Sequence, residues 1–118
     1  MAIIVVNKKT HTPTRDDIYV GRPSILGNPF TMLKEADRAK VCRQYEEWFM
    51  PIFKVAGTKI NKEMNRLIYL ATQQDINLVC WCSPRACHAD LIKKIIDDVL
   101  QEDRFNPERY LNRVNDST

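Results

Sequence analysis

Apolar and polar residues follow two different periods along this chain. Ala2 to Val6 is an unbroken, β-branched run bounded by Asn7 and two lysines, which predicts a buried strand near the start. Asn7 to Asp16 mixes Thr, His, Pro and charge without periodicity and reads as a loop with freedom to move, and Ile18 to Val20 predicts a second short strand. From Glu35 to Phe49 the positions Val41, Cys42, Tyr45, Trp48 and Phe49 fall at helical spacing, so an amphipathic helix is expected there, ended or kinked by Pro51. Ile60 to Thr72 repeats the pattern through Met64, Leu67, Ile68 and Ala71. Ile76 to Cys82 reads as a third strand. Cys87 to Leu100, with Leu91, Ile92, Ile95, Ile96 and Val99 in one stripe, reads as the last helix.

The order strand, strand, helix, helix, strand, helix predicts a small α/β domain over residues 1–100, its first and last strands parallel and joined by a right-handed crossover. Residues 101–118 turn polar and keep only Phe105, Tyr110 and Leu111 as anchors, so they read as a docked tail that frays. A length of 118 residues fits one core. In parallel sheets ligands gather beyond the carboxyl ends of the strands, which points to two segments meeting there: the loop Gly21 to Asn28 and the turn Cys82 to His88.

Composition narrows the classes. With 44% hydrophobic and 28% charged residues the chain is an ordinary globular sequence, neither disordered nor low in complexity. A net charge of +3 without a basic run makes nucleic acid a poor candidate partner. Ile3 to Val6 is too short for a membrane span or a secretory core, and Lys8 and Lys9 follow it, so a cytoplasmic protein is expected, with no membrane partner. Three of the four cysteines crowd into one segment, unlike a secreted disulfide scaffold.

That segment is Cys80-Trp81-Cys82-Ser83-Pro84-Arg85-Ala86-Cys87-His88. Alternation on a strand sends Cys80 and Cys82 to one face with Cα atoms about 6.5 Å apart and Trp81 to the other. Ser83 and Pro84 suit the start of the last helix, which would set Cys87 and His88 in its opening turns, where free amides and Arg85 favour an anion. Three readings stay open. Cys80 and Cys87 are small buried residues and His88 a hydrogen-bonded histidine; or Cys80, Cys82, Cys87 and His88 close a tetrahedral zinc site; or Cys82 or Cys87 is a nucleophile activated by His88, the helix end and Arg85. In the other segment two of the three glycines, Gly21 and Gly27, mark special backbone angles or a close approach, and Arg22, Ser24 and Asn28 are candidate ligand contacts beside Ser83 and Arg85. Asn28 also suits a turn cap. Tyr45, Trp48 and Phe49 read as core, and His11 as solvated.

Taken together, Tyr19-Val20-Gly21-Arg22-Pro23-Ser24, Gly27-Asn28-Pro29-Phe30, Cys80-Trp81-Cys82, Pro84 and Cys87-His88-Ala89-Asp90 resemble the family catalogued as domain of unknown function 4326, small proteins of bacteriophages and bacteria. The resemblance spans Ile18 to Leu100. It implies a compact Rossmann-like, three-layer α/β domain, with a short, mainly parallel sheet flanked by helices and with both segments as its marks; it brings no activity with it.

The function expected is therefore nucleotide handling: a nucleotide or other phosphate-bearing small molecule held between the Gly21 to Asn28 loop and the Cys82 to His88 turn. The protein would be a sequestering binder, or an enzyme acting at a glycosidic or phosphoryl centre through Cys82 or Cys87 and His88. The alternative is a host-takeover factor that binds a bacterial host protein and uses the Cys/His cluster as a structural zinc clip.

Overall fold

The computed structural model describes residues 2–82 and 87–102. Expectations for Ser83, Pro84, Arg85 and the tail from 103 to 118 lie outside the described residues. Strands β1 (Ile3–Asn7), β2 (Asp17–Tyr19) and β3 (Ile76–Cys80) form one sheet, and helices α1 (Arg38–Phe53), α2 (Lys59–Leu70) and α3 (His88–Glu102) complete a small α/β domain. The strand order is β1-β3-β2 and every pair is parallel, with Ile3 opposite Ile76 and Ile18 opposite Leu78. The first and last strands are thus parallel neighbours, as the element order predicts.

Element boundaries shift where hydrogen bonding decides. A 3-10 turn at Glu35–Asp37 precedes α1, so the α-helix starts three residues later than its apolar period suggests. Pro51 does not end α1, because it sits in the last turn, where its missing N–H removes one helical bond before the helix closes at Phe53. β3 stops at Cys80 rather than Cys82: its carbonyl takes the Lys8 amide at 2.8 Å, after which β1 turns away through bonds from Thr10 and His11 to the Asn7 carbonyl. α3 begins at His88, leaving Cys87 just ahead of it rather than in an opening turn, and Asp90 in the first turn accepts the Cys87 amide at 3.1 Å. That carboxylate reaches back as the third residue of a capping box does.

Three helices share one face of the sheet. Ile76, Leu78 and Cys80 point into a core with Tyr45, Phe49, Met64, Leu67, Ile68, Ile92 and Ile96, all without exposed surface. Burying each large side chain stabilises the fold by about 1.5–3 kcal/mol. Tyr45, Phe49 and Phe53 stack along α1, so the aromatics of that helix are core, as their stripe predicts.

The opposite face has no helix over it among the described residues, and Ile4 remains 49% exposed there. The topology sends the chain across that face: β1 and β2 run parallel on either side of β3, so residues 8–16 must return the length of the sheet and cross β3 on the way. This crossing is pinned in place. Asn77 of β3 donates to Thr14 Oγ1 at 3.3 Å and Asp17 Oδ1 at 3.1 Å, and Asp17 also takes the Thr14 amide and lies 2.9 Å from His11 Nε2. His11 is thus tied to Asp17, with 18% of its side chain exposed, instead of solvated. Burial alone would raise the Asp17 carboxyl, but hydrogen bonds from the Thr14 amide, His11, Asn77 and the Thr14 hydroxyl outweigh it and lower its pKa to about 2.

Candidate functional site

Beyond the carboxyl ends of β2 and β3 lies a cavity of about 270 Å³, lined by Gly21, Arg22 and Asn28 from one segment and Trp81, Cys82, Cys87 and His88 from the other. Chain regions sixty residues apart therefore meet in one wall. Two hydrogen bonds fix the meeting. His88 Nε2 lies 2.6 Å from the Val20 carbonyl, and Tyr45, stacked edge-on to the His88 ring, donates its hydroxyl to the Leu26 carbonyl at 2.7 Å.

The loop from Gly21 to Asn28 is shaped by local contacts. A tight turn at Gly21 to Ser24 contains a cis Arg22–Pro23 peptide, and Tyr19 donates its hydroxyl to the Arg22 carbonyl at 2.7 Å while accepting from Trp81 Nε1 at 3.0 Å. A Cβ on Gly21 would sit 2.5 Å from that Tyr19 oxygen, and one on Gly27 3.0 Å from the Arg22 backbone. Close approach, and not a special φ, accounts for both glycines; the positive φ belongs to Gly57, between α1 and α2. Asn28 caps its own turn, accepting the Phe30 amide at 2.8 Å, while also lining the cavity. Gly27 and Ser24 do not line it. Ser24 instead borders a separate hollow of about 70 Å³ beside Glu63 and Arg66, where its buried hydroxyl has no hydrogen-bond partner.

The cysteine turn separates into two kinds of thiol. Cys80 and Cys87 are buried and face each other, the Cys87 thiol donating to Cys80 at 3.3 Å. That bond, burial and the neighbouring Cys80 sulfur all push the Cys87 pKa up, which makes its thiolate scarce. Cys82 is partly exposed on the cavity wall, where the Arg38 guanidinium, ion-paired with Glu35, also hydrogen-bonds to the Cys82 side chain; Glu35 first and Cys82 second raise the Arg38 pKa. Cys42, one turn along α1 from Arg38, lines the same cavity, with burial pushing its thiol up.

A carbonyl oxygen only accepts, so His88 Nε2 carries the proton and donates to Val20. Burial lowers the His88 pKa and Arg22 adds to that, against the pull of the Val20 carbonyl, so the ring is neutral near pH 7 with Nδ1 as its basic nitrogen. With Nε2 committed to Val20, that nitrogen does not serve a thiol. Nor do Cys80, Cys82, Cys87 and His88 fit a tetrahedral zinc site: among the described residues no three Cys, His, Asp or Glu are placed to hold a metal. Cys80 and Cys87 bond to each other, Cys82 meets Arg38 and His88 meets Val20.

Phe30, Thr31, Met32, Arg38, Val41 and Cys42 complete the cavity and were not legible as site residues. Their signal in the sequence is faint: Arg38, Val41 and Cys42 share one helical face at spacings of three and four.

Fold and cavity together define a small parallel α/β domain with a cationic, thiol-lined pocket at the carboxyl edge of its sheet. The chain belongs to the family described as Domain of unknown function (DUF4326), whose family model matches residues 4–98. No curated protein and no solved structure matches the chain. Among the described residues no helix is long and apolar enough to cross a membrane.

Proposed function

We propose that the cavity binds a nucleotide or a related phosphate-bearing small molecule, and that the protein acts as a binder. The observation that carries this is the pairing of two guanidiniums, Arg22 and Arg38, with the aromatic side chains of Phe30 and Trp81 around one cavity whose described lining includes no carboxylate. Guanidinium forks suit phosphate oxygens, and ring faces suit a base. Arg22 has no carboxylate partner among the described residues, so its charge is available to a ligand, whereas Arg38 shares its own with Glu35. Without lining carboxylates to carry a divalent cation, the anion would be neutralised by protein cations alone.

A catalytic version of the same reading uses Cys82 as the nucleophile, because it faces the cavity beside Arg38 while Cys87 is held protonated by Cys80. His88 Nδ1 would then be the proton carrier.

Titration calorimetry against nucleoside monophosphates, cyclic mononucleotides and inorganic phosphate, each with and without magnesium, tests the reading. Saturable binding that does not need magnesium is expected. Arg22→Ala should weaken it about 10- to 100-fold, the worth of a charge-assisted hydrogen bond of roughly 1.5–3 kcal/mol. Absence of binding by every one of these ligands would reject the proposal.

A further inference from the structure

The Cys80 and Cys87 thiols lie at the end of β3 and just ahead of α3, one closing the strand and the other preceding the helix. Their sulfurs are 3.3 Å apart, already in contact, and a disulfide needs them at about 2.05 Å. We propose that this pair is an oxidation site: a small peroxide entering through the cavity converts the two thiols into an intramolecular disulfide that links the end of β3 to the residue ahead of α3. The proposal is independent of what the cavity binds.

The cavity supplies the route. Cys80 has no exposed surface, but Cys87 lines the cavity wall while 7% exposed, so a small oxidant such as hydrogen peroxide meets Cys87 first. The Cys87 thiolate attacks the peroxide oxygen, breaking the O–O bond; the departing hydroxide takes up the released proton as water, and Cys87 becomes a sulfenic acid. The Cys80 sulfur then attacks the Cys87 sulfur, expelling the hydroxyl group, which leaves as a second water with the Cys80 proton. Two thiols and one hydrogen peroxide give one disulfide and two waters, the sulfurs losing the two electrons that the peroxide gains.

Two neighbours sharpen the assignment. Cys82 is the more exposed thiol, yet its side chain is turned to Arg38, and Cys42 stands on α1 in the wall of the same cavity. Neither has a sulfur partner within the bonded contacts of the described residues. The rate should also carry a signature: because Cys80 and burial hold the Cys87 thiol protonated, the reactive thiolate increases about tenfold per pH unit through the neutral range.

The test is peroxide treatment of the full chain, alkylation of remaining thiols, and peptide mapping by mass spectrometry. A Cys80–Cys87 linkage is expected as the main product, forming about tenfold faster for each pH unit between neutral and mildly alkaline conditions and reversed by dithiothreitol. Cys82→Ser should still form the linkage, and Cys80→Ser should leave Cys87 as a sulfenic acid or a more oxidised acid. Linkages that run mainly through Cys82 or Cys42, or both Cys80 and Cys87 recovered alkylated after Cys82 is consumed, would overturn the assignment. Since wild-type protein gives the decisive map, a variant that fails to fold does not blunt the experiment.

Discussion

Neighbouring residues of β3 show how differently the two faces of the sheet are held. Leu78 points down into the helices and has no exposed surface, whereas Asn77, one residue earlier, points up and donates to Thr14 and Asp17 of the crossing segment. The helix side is stabilised by apolar area, which is non-directional and grows with every side chain added to the core. The loop side is stabilised by a small set of directional bonds centred on one carboxylate, each worth about 0.5–1.5 kcal/mol net. A nine-residue crossing cannot carry a helix's apolar stripe, so it is fastened by polar side chains. The consequence for function is that the pocket at the carboxyl ends of β2 and β3 is walled by α1 and the start of α3 from the firmly packed side, while the polar crossing ties β2 to β3 on the opposite face.

Substituting within the one strand sets these two kinds of stabilisation against each other. Leu78→Ala should cost about 2–5 kcal/mol in urea unfolding, because the cavity it leaves lies among residues that cannot close over it. Asn77→Ala should cost about 0.5–1.5 kcal/mol by the same measurement, the loss of bonds in a partly wet setting. Equal costs for the two would break the comparison. The smallest effect should come from acid. Asp17, shifted from 3.8 to about 2 in the folded state, binds its proton less readily folded than unfolded, so its contribution is complete above the unfolded value and is lost as pH falls toward 2. Wild-type protein should therefore lose more stability than Asp17→Asn across that window, and parallel pH profiles for the two would show that the crossing segment is not fastened through this carboxylate.

Much of the framework is legible along the chain because it rests on local rules. The apolar stripes of α2 and α3 and the β-branched runs of β1 and β3 name their elements within one or two residues of where the bonds place them. Errors cluster where a distant partner decides. His11 reads as solvated until Asp17 is placed beside it, and the segment around it reads as free until β3 lies underneath. Pro51 reads as a stop or a kink, but its effect depends on how far the helix continues after it. The two site segments carry recognisable residues, yet Arg38 and Cys42 belong to a helix whose period already explains them as ordinary surface and core.

Spacing and residue type along the chain settled the α/β class, the family, the parallel pairing of the first and last strands, and the two segments that converge at the strand ends. The class, the pairing and the convergence follow from periodicity and from the way parallel strands align their carboxyl ends, and the family from the residues of its two motifs. Which thiol faces which partner was decided only by tertiary packing: Cys80 to Cys87, Cys82 to Arg38, and His88 to the Val20 carbonyl. A sulfur's neighbours, and with them its acidity and chemistry, are set by atoms a few ångströms away in space and up to about seventy residues away in sequence.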